Sequence, residues 1–165
     1  MKIGALAALP TDQLSLQDLL KIRETILKGI DDKNAGAYRS IPLIISGSEV
    51  ILSNYQKIRD LTERFIRSIS NSDNEHPFAL ATKAHYELVT THRFLDGNGR
   101  TARLLVNLIL LQNRYPPALI QTHNRLTYLQ SLEQAQLGGS KKDYLDLINE
   151  AVDRSLDIYL QAVSG

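Results

Sequence analysis

Asp96-Gly97-Asn98-Gly99-Arg100-Thr101-Ala102-Arg103-Leu104-Leu105-Val106-Asn107-Leu108-Ile109-Leu110-Leu111 is the stretch whose reading decides the fold. From Gly99 to Asn113, apolar residues cover nearly every side of a helix, and such a helix belongs at the buried centre of a domain. The segments around it are amphipathic and fit as its shell. Leu16, Leu19, Leu20, Ile22, Ile26 and Leu27 recur at helical spacing after Ser15, a good N-cap, and Gly29 ends the segment. Asn54 to Ile69 keeps the same period through Ile58, Leu61, Phe65 and Ile69. The polar Ser70 to Glu75 then leads to Pro77, suited to a first helical position, and a helix to Thr91. Past the Pro116-Pro117 break, Arg125 to Gln136 and Lys141 to Ala162 read as two closing helices, separated by Gly138-Gly139. Between the first two helices, a turn at Asn34 to Arg39 precedes Ile41 to Leu52. That segment is rich in branched residues and broken by Ser46-Gly47-Ser48, which predicts a β-hairpin. The expected fold is therefore all-α, a helical bundle around a buried central helix, with a small hairpin at about 41–52.

A chain of 165 residues, 43% of them hydrophobic, can bury one good core and is short for two, so residues 1–165 are read as a single domain. Nineteen basic residues against eighteen acidic ones leave a net charge of +1. No overall field draws the chain to nucleic acid or an anionic membrane, neither is expected as a partner, and any basic site must be local. With no cysteine, a disulfide framework, a thiolate metal site and a thiol nucleophile are all excluded. The apolar run from Leu104 to Leu111 is too short to cross a bilayer, and Met1 to Pro10 makes a poor secretory signal. A soluble, cytoplasmic protein is expected, with lumenal or exported destinations left open.

The chemistry concentrates where the central helix begins. Asp96-Gly97-Asn98-Gly99 alone would read as a hairpin corner or a helix cap. Here it opens directly into a helix, whose unpaired N–H groups and positive dipole end attract anions, and its glycines let a phosphate approach the main chain. The Gly-Lys-Ser/Thr ending of a P-loop is absent. Arg100, Arg103 and Asn107 share one helical face, with Arg114 near that line, and a guanidinium fork matches phosphate oxygens two at a time. His92, just upstream, is an imidazole able to take a proton near neutral pH. Asp96 has two readings, a helix N-cap or a ligand for Mg²⁺, which commonly takes one carboxylate plus substrate phosphates and water. Phe94 is read as a hydrophobic anchor for the loop and Arg93 as solvated surface.

His92-Arg93-Phe94-Leu95-Asp96-Gly97-Asn98-Gly99-Arg100-Thr101-Ala102-Arg103 resembles the signature of the Fic domain, His-x-Phe-x-Asp-Gly-Asn-Gly-Arg-x-x-Arg. The resemblance extends from about Leu16 to Leu160. Ala35-Gly36-Ala37-Tyr38-Arg39, Tyr115-Pro116-Pro117 and Leu156-Asp157-Ile158-Tyr159-Leu160 look like the branch that contains the metazoan endoplasmic-reticulum enzyme. Members of the family usually transfer AMP from ATP to a protein hydroxyl.

The resemblance implies that His92 is the base acting on a Ser, Thr or Tyr hydroxyl and that Asp96 holds Mg²⁺. It implies that Gly97, Asn98 and Gly99 cradle the α- and β-phosphates, and that Arg100 and Arg103 bind the β- and γ-phosphates. The hairpin would be the family's flap, its tip at Ile45, Ser46, Gly47 and Ser48 bordering the nucleotide and its exposed strand pairing with a target protein. The adenine wall would fall at Tyr128, Leu129 and Gln136, although the branch has Tyr and Asn where Leu129 and Gln136 stand.

Further departures bear on regulation and chemistry. Many relatives are silenced by a glutamate in a Ser/Thr-x-x-x-Glu helix that pairs with the last arginine of the signature. No glutamate here has Ser or Thr four residues before it. Arg103 is then expected to be available to the γ-phosphate, and the chain either to be constitutively competent or to be silenced by a separate inhibitor or antitoxin protein or by a segment outside this chain. Arg93 stands where the family commonly has Pro, with little effect expected. Gly97 rather than Ala, and Arg100 rather than Lys, disfavour the phosphocholine-transferring and target-phosphorylating variants. The rival readings are transfer of another nucleotide or a phosphate, and a catalytically silent nucleotide-binding module.

Overall fold

The computed structural model describes residues 11–32, 34–72, 75–119 and 125–164; Met1 to Pro10, read as a poor secretory signal, lies outside them. The described residues form six α-helices: α1 (Leu16–Leu27), α2 (Ile58–Ser70), α3 (Pro77–Thr91), α4 (Asn98–Gln112), α5 (Arg125–Gln136) and α6 (Lys142–Ser164). Sequence punctuation explains their ends. Ser15 caps α1 in a capping box, its hydroxyl accepting from Asp18 N while the Asp18 carboxylate accepts from Ser15 N at 3.1 Å. Leu14 and Leu19, the positions of a hydrophobic staple across that cap, are both buried. In α3, Pro77 fills the first turn, and His76 Nδ1 accepts from Phe78 N at 3.3 Å.

α4 is the axis of the molecule. Leu105, Val106, Ile109 and Leu110 are completely buried, and each such side chain contributes about 2 kcal/mol relative to exposure. α3 and α1 pack directly on it, and Phe65 and Ile69 of α2 with Tyr144, Ile148 and Val152 of α6 complete the same core. The Asn107 side chain does not join the arginines of the site. Its oxygen accepts from Ala118 N at 2.8 Å, tying the segment after Pro116-Pro117 back to α4. Arg114 likewise lies outside the site, exposed beyond the end of α4 with φ 64°.

The expected hairpin is corrected. No β-strand occurs among the described residues, and the two arms of 41–52 make no ladder with each other. Branched residues favour extended backbone but do not supply a partner. Here the segment is held from outside. Arg39, almost fully buried, donates from Nη1 to Ile41 O at 3.1 Å and from Nη2 to Ser53 O, pinning both ends of the loop. At the tip, Ser48 N donates to Ile45 O at 3.1 Å in a turn whose Gly47 has φ 78°. Arg93 is the second correction. It is fully buried rather than solvated, with its guanidinium 4.3 Å above the Phe65 ring, Nε donating to Thr62 Oγ1 at 3.1 Å and Nη1 to Glu87 O at 3.1 Å. Burial lowers its pKa to about 10, so it remains charged at neutral pH.

Truncation of the axis should be costly. Leu105→Ala is expected to lower unfolding free energy by about 3 kcal/mol, within the usual range for a buried leucine. Urea denaturation followed by circular dichroism measures it, and a loss below about 1 kcal/mol would show that α4 is not the packed centre.

Candidate active site

Two left-handed residues bracket the loop between α3 and α4. His92, at φ 50° and ψ 59°, ends α3, and Gly97, at φ 78° and ψ 7°, is the N-cap of α4. A non-glycine residue in that region is strained, and it persists only where its surroundings impose it. At His92 the restraint is Arg39, whose Nε donates to His92 O at 2.7 Å while its own N–H donates to Arg93 O at 3.0 Å. At Gly97 the positive φ itself selects glycine, because a Cβ there would meet nothing closer than Leu27 Cδ2 at 3.6 Å.

The loop is closed on itself by Asn98. Its buried side chain accepts from Phe94 N at 3.0 Å and donates to Phe94 O at 2.8 Å. These two bonds turn the Asn98 side chain back on the loop, and its main-chain N–H remains outside them. Phe94, read from sequence as the loop's anchor, packs into the core behind the loop. It is fully buried, stacked on Tyr38 at 5.7 Å between ring centroids, and covered by the Arg23 guanidinium at 4.4 Å.

A pocket of about 740 Å³ opens over the start of α4. The first main-chain bond of the helix runs from Thr101 N to Gly97 O at 2.9 Å, so the amides of Asn98, Gly99 and Arg100 precede the ladder, and all three residues line the pocket. The two arginines curl back toward the glycine turn. Arg103 Nη1 lies 3.8 Å from where a Gly99 Cβ would stand, and Arg100 Nη2 lies 3.9 Å from the same point on Gly97. Arg103 forms no ion pair among the described residues, whereas Arg100 Nη2 bonds Asp96 Oδ2 at 2.8 Å. Asp96 is not the N-cap. Its largely exposed carboxylate accepts instead from Gly97 N at 2.6 Å and from Arg100.

His92 lines the same pocket, half-buried. Burial is the largest influence on its imidazole and lowers the pKa from the usual 6.5; Arg39 acts the same way, and a hydrogen bond to the Val89 main chain and the nearby Asp96 charge oppose them. The outcome favours a neutral ring at pH 7, ready to accept a proton.

The opposite wall is α5 and the flap. Tyr128, Leu129 and Gln136 all face the pocket, as does Ile45, while Ser46, Gly47 and Ser48 of the flap tip do not line it. Gln136 Nε2 donates to Thr90 Oγ1 at 3.1 Å. Leu132 and Arg125 belong to the pocket without having been singled out from sequence, although Arg125 stands one helical turn before Tyr128 on the same face. Among the described residues no group of three or more His, Cys, Asp or Glu side chains is placed to hold a metal by itself.

Residues 13–110, more than half of the chain and including His92 to Arg103, match the Fic/DOC family. The chain is 32% identical to Protein adenylyltransferase Fic of Culex quinquefasciatus, across 98% of this chain and 32% of that protein. It thus spans about a third of the length of the curated relatives it matches. Among solved structures it resembles Fic-1 of C. elegans, with a TM-score of 0.82 at 28% identity over 93% of this chain and 45% of that one. It resembles equally a Fic domain containing signalling protein from Bacteroides thetaiotaomicron, with a TM-score of 0.82 at 25% identity over 99% and 68% of the two chains. Backbone, pocket and sequence thus agree: this chain belongs to the Fic/DOC family.

Proposed function

We propose that the chain is a protein adenylyltransferase, moving AMP from ATP to a Ser, Thr or Tyr hydroxyl of a target protein and releasing pyrophosphate. The observation that carries this reading is the cup at the start of α4, where unladdered amides, two guanidinium groups, one carboxylate and a neutral imidazole line a single pocket. Such donors bind a polyphosphate, and charge spread over transferring phosphate oxygens is what they stabilise.

The main-chain amides of Asn98, Gly99 and Arg100 would take the α- and β-phosphates, with Gly97 shaping the turn. Arg103, and Arg100 once it leaves Asp96, would hold the β- and γ-phosphates. Asp96 fits Mg²⁺ as the one carboxylate that a metal–polyphosphate complex needs, rather than as part of an all-protein cage. When bound, Mg²⁺ would neutralise phosphate charge. The target hydroxyl oxygen forms a bond to the α-phosphorus, the bond from that phosphorus to the β-phosphate oxygen breaks, and the hydroxyl proton passes to His92. Positioning does most of the rest.

Tyr128, Leu129 and Gln136 would enclose the base. The flap offers a target main-chain groups that its own arms leave unpaired, flanked by the exposed Ile44 and Ile51. Among the described residues no carboxylate pairs with Arg103, so any restraint of activity acting through that guanidinium would come from a separate inhibitor or antitoxin protein or from a segment outside this sequence. None of the described helices is long and apolar enough to cross a membrane.

His92→Ala should lower kcat for AMP transfer about 10²- to 10⁴-fold, the usual contribution of a general base, with ATP affinity largely kept. In the unaltered protein the acidic limb of kcat/KM should have its midpoint below 6.5 and vanish in the variant. Transfer to a denatured-lysate acceptor from labelled ATP, followed across pH, measures both; equal activity in the variant rules out this base. Asp96→Ala should raise the Mg²⁺ concentration needed for half-maximal transfer by about tenfold or more. An unchanged magnesium titration would remove Asp96 from the metal's coordination.

A further inference from the structure

Glu133 stands one position past Leu132 and one helical turn past Leu129, at the rim of the α5 wall that faces the pocket. One oxygen of its carboxylate, Oε1, accepts from Ser48 Oγ at 2.6 Å and from Glu49 N at 2.9 Å. Ser48 Oγ accepts in turn from Val50 N at 3.2 Å, so three consecutive residues beyond the flap turn are tied to this one side chain. The contact spans about half the chain. It joins two elements that share no ladder, next to a pocket that Ile45, Tyr128 and Leu129 all line.

The flap is thus attached at three points. Arg39 clamps its two ends, and Glu133 fastens its tip. With the tip fastened, Ile45 is kept in the lining of the pocket beside Tyr128 and Leu129 of α5, while Ser46, Gly47 and Ser48 stay outside it. Neither the phosphate donors nor His92 touch Glu133.

We propose that Glu133 is a positioning residue, a clasp that holds the flap tip against α5 and so retains the base of a bound nucleotide. This rests on the adenylyltransferase reading for the identity of the ligand, and it adds a residue outside the phosphate cup that sets nucleotide residence. Because a single oxygen accepts both hydrogen bonds, a carboxamide can replace the carboxylate: its carbonyl oxygen accepts from the same two donors. The clasp depends on an acceptor and not on a charge.

The experiment compares unaltered protein, Glu133→Ala and Glu133→Gln. Glu133 is only half-buried and outside the hydrophobic core, and circular dichroism verifies that the helices persist. ATP with Mg²⁺ is the probe, read by the KM and kcat for AMP transfer and by the dissociation rate of a fluorescent ATP analogue. Glu133→Ala should raise KM and the dissociation rate about five- to tenfold, the size expected for losing one or two hydrogen bonds, with kcat changing much less. Glu133→Gln should restore both values to within about twofold of the starting protein. In the nucleotide-free protein, the Glu49 amide should exchange with deuterium more slowly than in Glu133→Ala. If alanine leaves nucleotide release unchanged or slows it, or if glutamine fails to rescue, the clasp is refuted. An unprotected Glu49 amide in the unaltered protein refutes it as well. Failure of the unaltered protein to bind ATP at all would instead refute the nucleotide reading on which the role rests.

Discussion

The Asn98 side chain makes both of its hydrogen bonds to the main chain of one residue, Phe94, and the geometry of the site descends from that ring. Closing residues 94–98 fixes the distance between the end of α3 and the start of α4, and it uses the only side-chain amide in the turn. The three amides that follow are left to the pocket. Arg39 fixes the other end of the loop by holding His92 in a left-handed conformation that its own backbone disfavours. Because the same guanidinium also holds Ile41 and Ser53, His92 and the flap share one foundation.

Behind the loop lies an unusual amount of positive charge. Arg23 and Arg93 are both fully buried, each over an aromatic ring, and a desolvated cation above a ring is worth about 2 kcal/mol, which offsets part of the cost of removing it from water. Arg93 has Thr62 and Glu87 as hydrogen-bond acceptors. Arg23 donates to Asn34 O, and its Nε and Nη2 have no hydrogen-bond acceptor among the described residues. With Arg39 they set the base of the loop in cationic surroundings, a field that suits a polyphosphate on the other side, and Arg39 adds to burial in opposing protonation of His92.

The helices were legible because apolar period and end signals are local. Ser15, Pro77 and Gly29 mark boundaries without reference to anything distant, and the apolar run from Leu104 to Leu111, interrupted by Asn107, marks a helix that is mostly buried. The signature was legible for the same reason, since its groups lie within twelve residues. What escaped depended on partners far along the chain. Arg93 looks like surface until Phe65 and Thr62 are brought beneath it, and Arg39 gives no sign of reaching residues 53 positions away. The flap misled in a related way, because branched residues specify extended backbone while pairing is decided by what lies alongside. Its actual fastening, Glu133, is an ordinary polar residue in the α5 sequence. Leu129 and Gln136, where the sequence departs from the resembling branch, nevertheless share the pocket with Tyr128.

In the proposed reaction the phosphate cup, the imidazole and the clasped flap would act on successive parts of one ligand, and cup and imidazole are both positioned by the loop between α3 and α4. A crystal structure of the chain with ATP and Mg²⁺ tests that most directly. The account predicts phosphate oxygens within hydrogen-bond distance of the Asn98, Gly99 and Arg100 amides, with Arg103 alongside and Asp96 parted from Arg100. A nucleotide bound elsewhere, or those amides capped by protein while ATP is present, would contradict it.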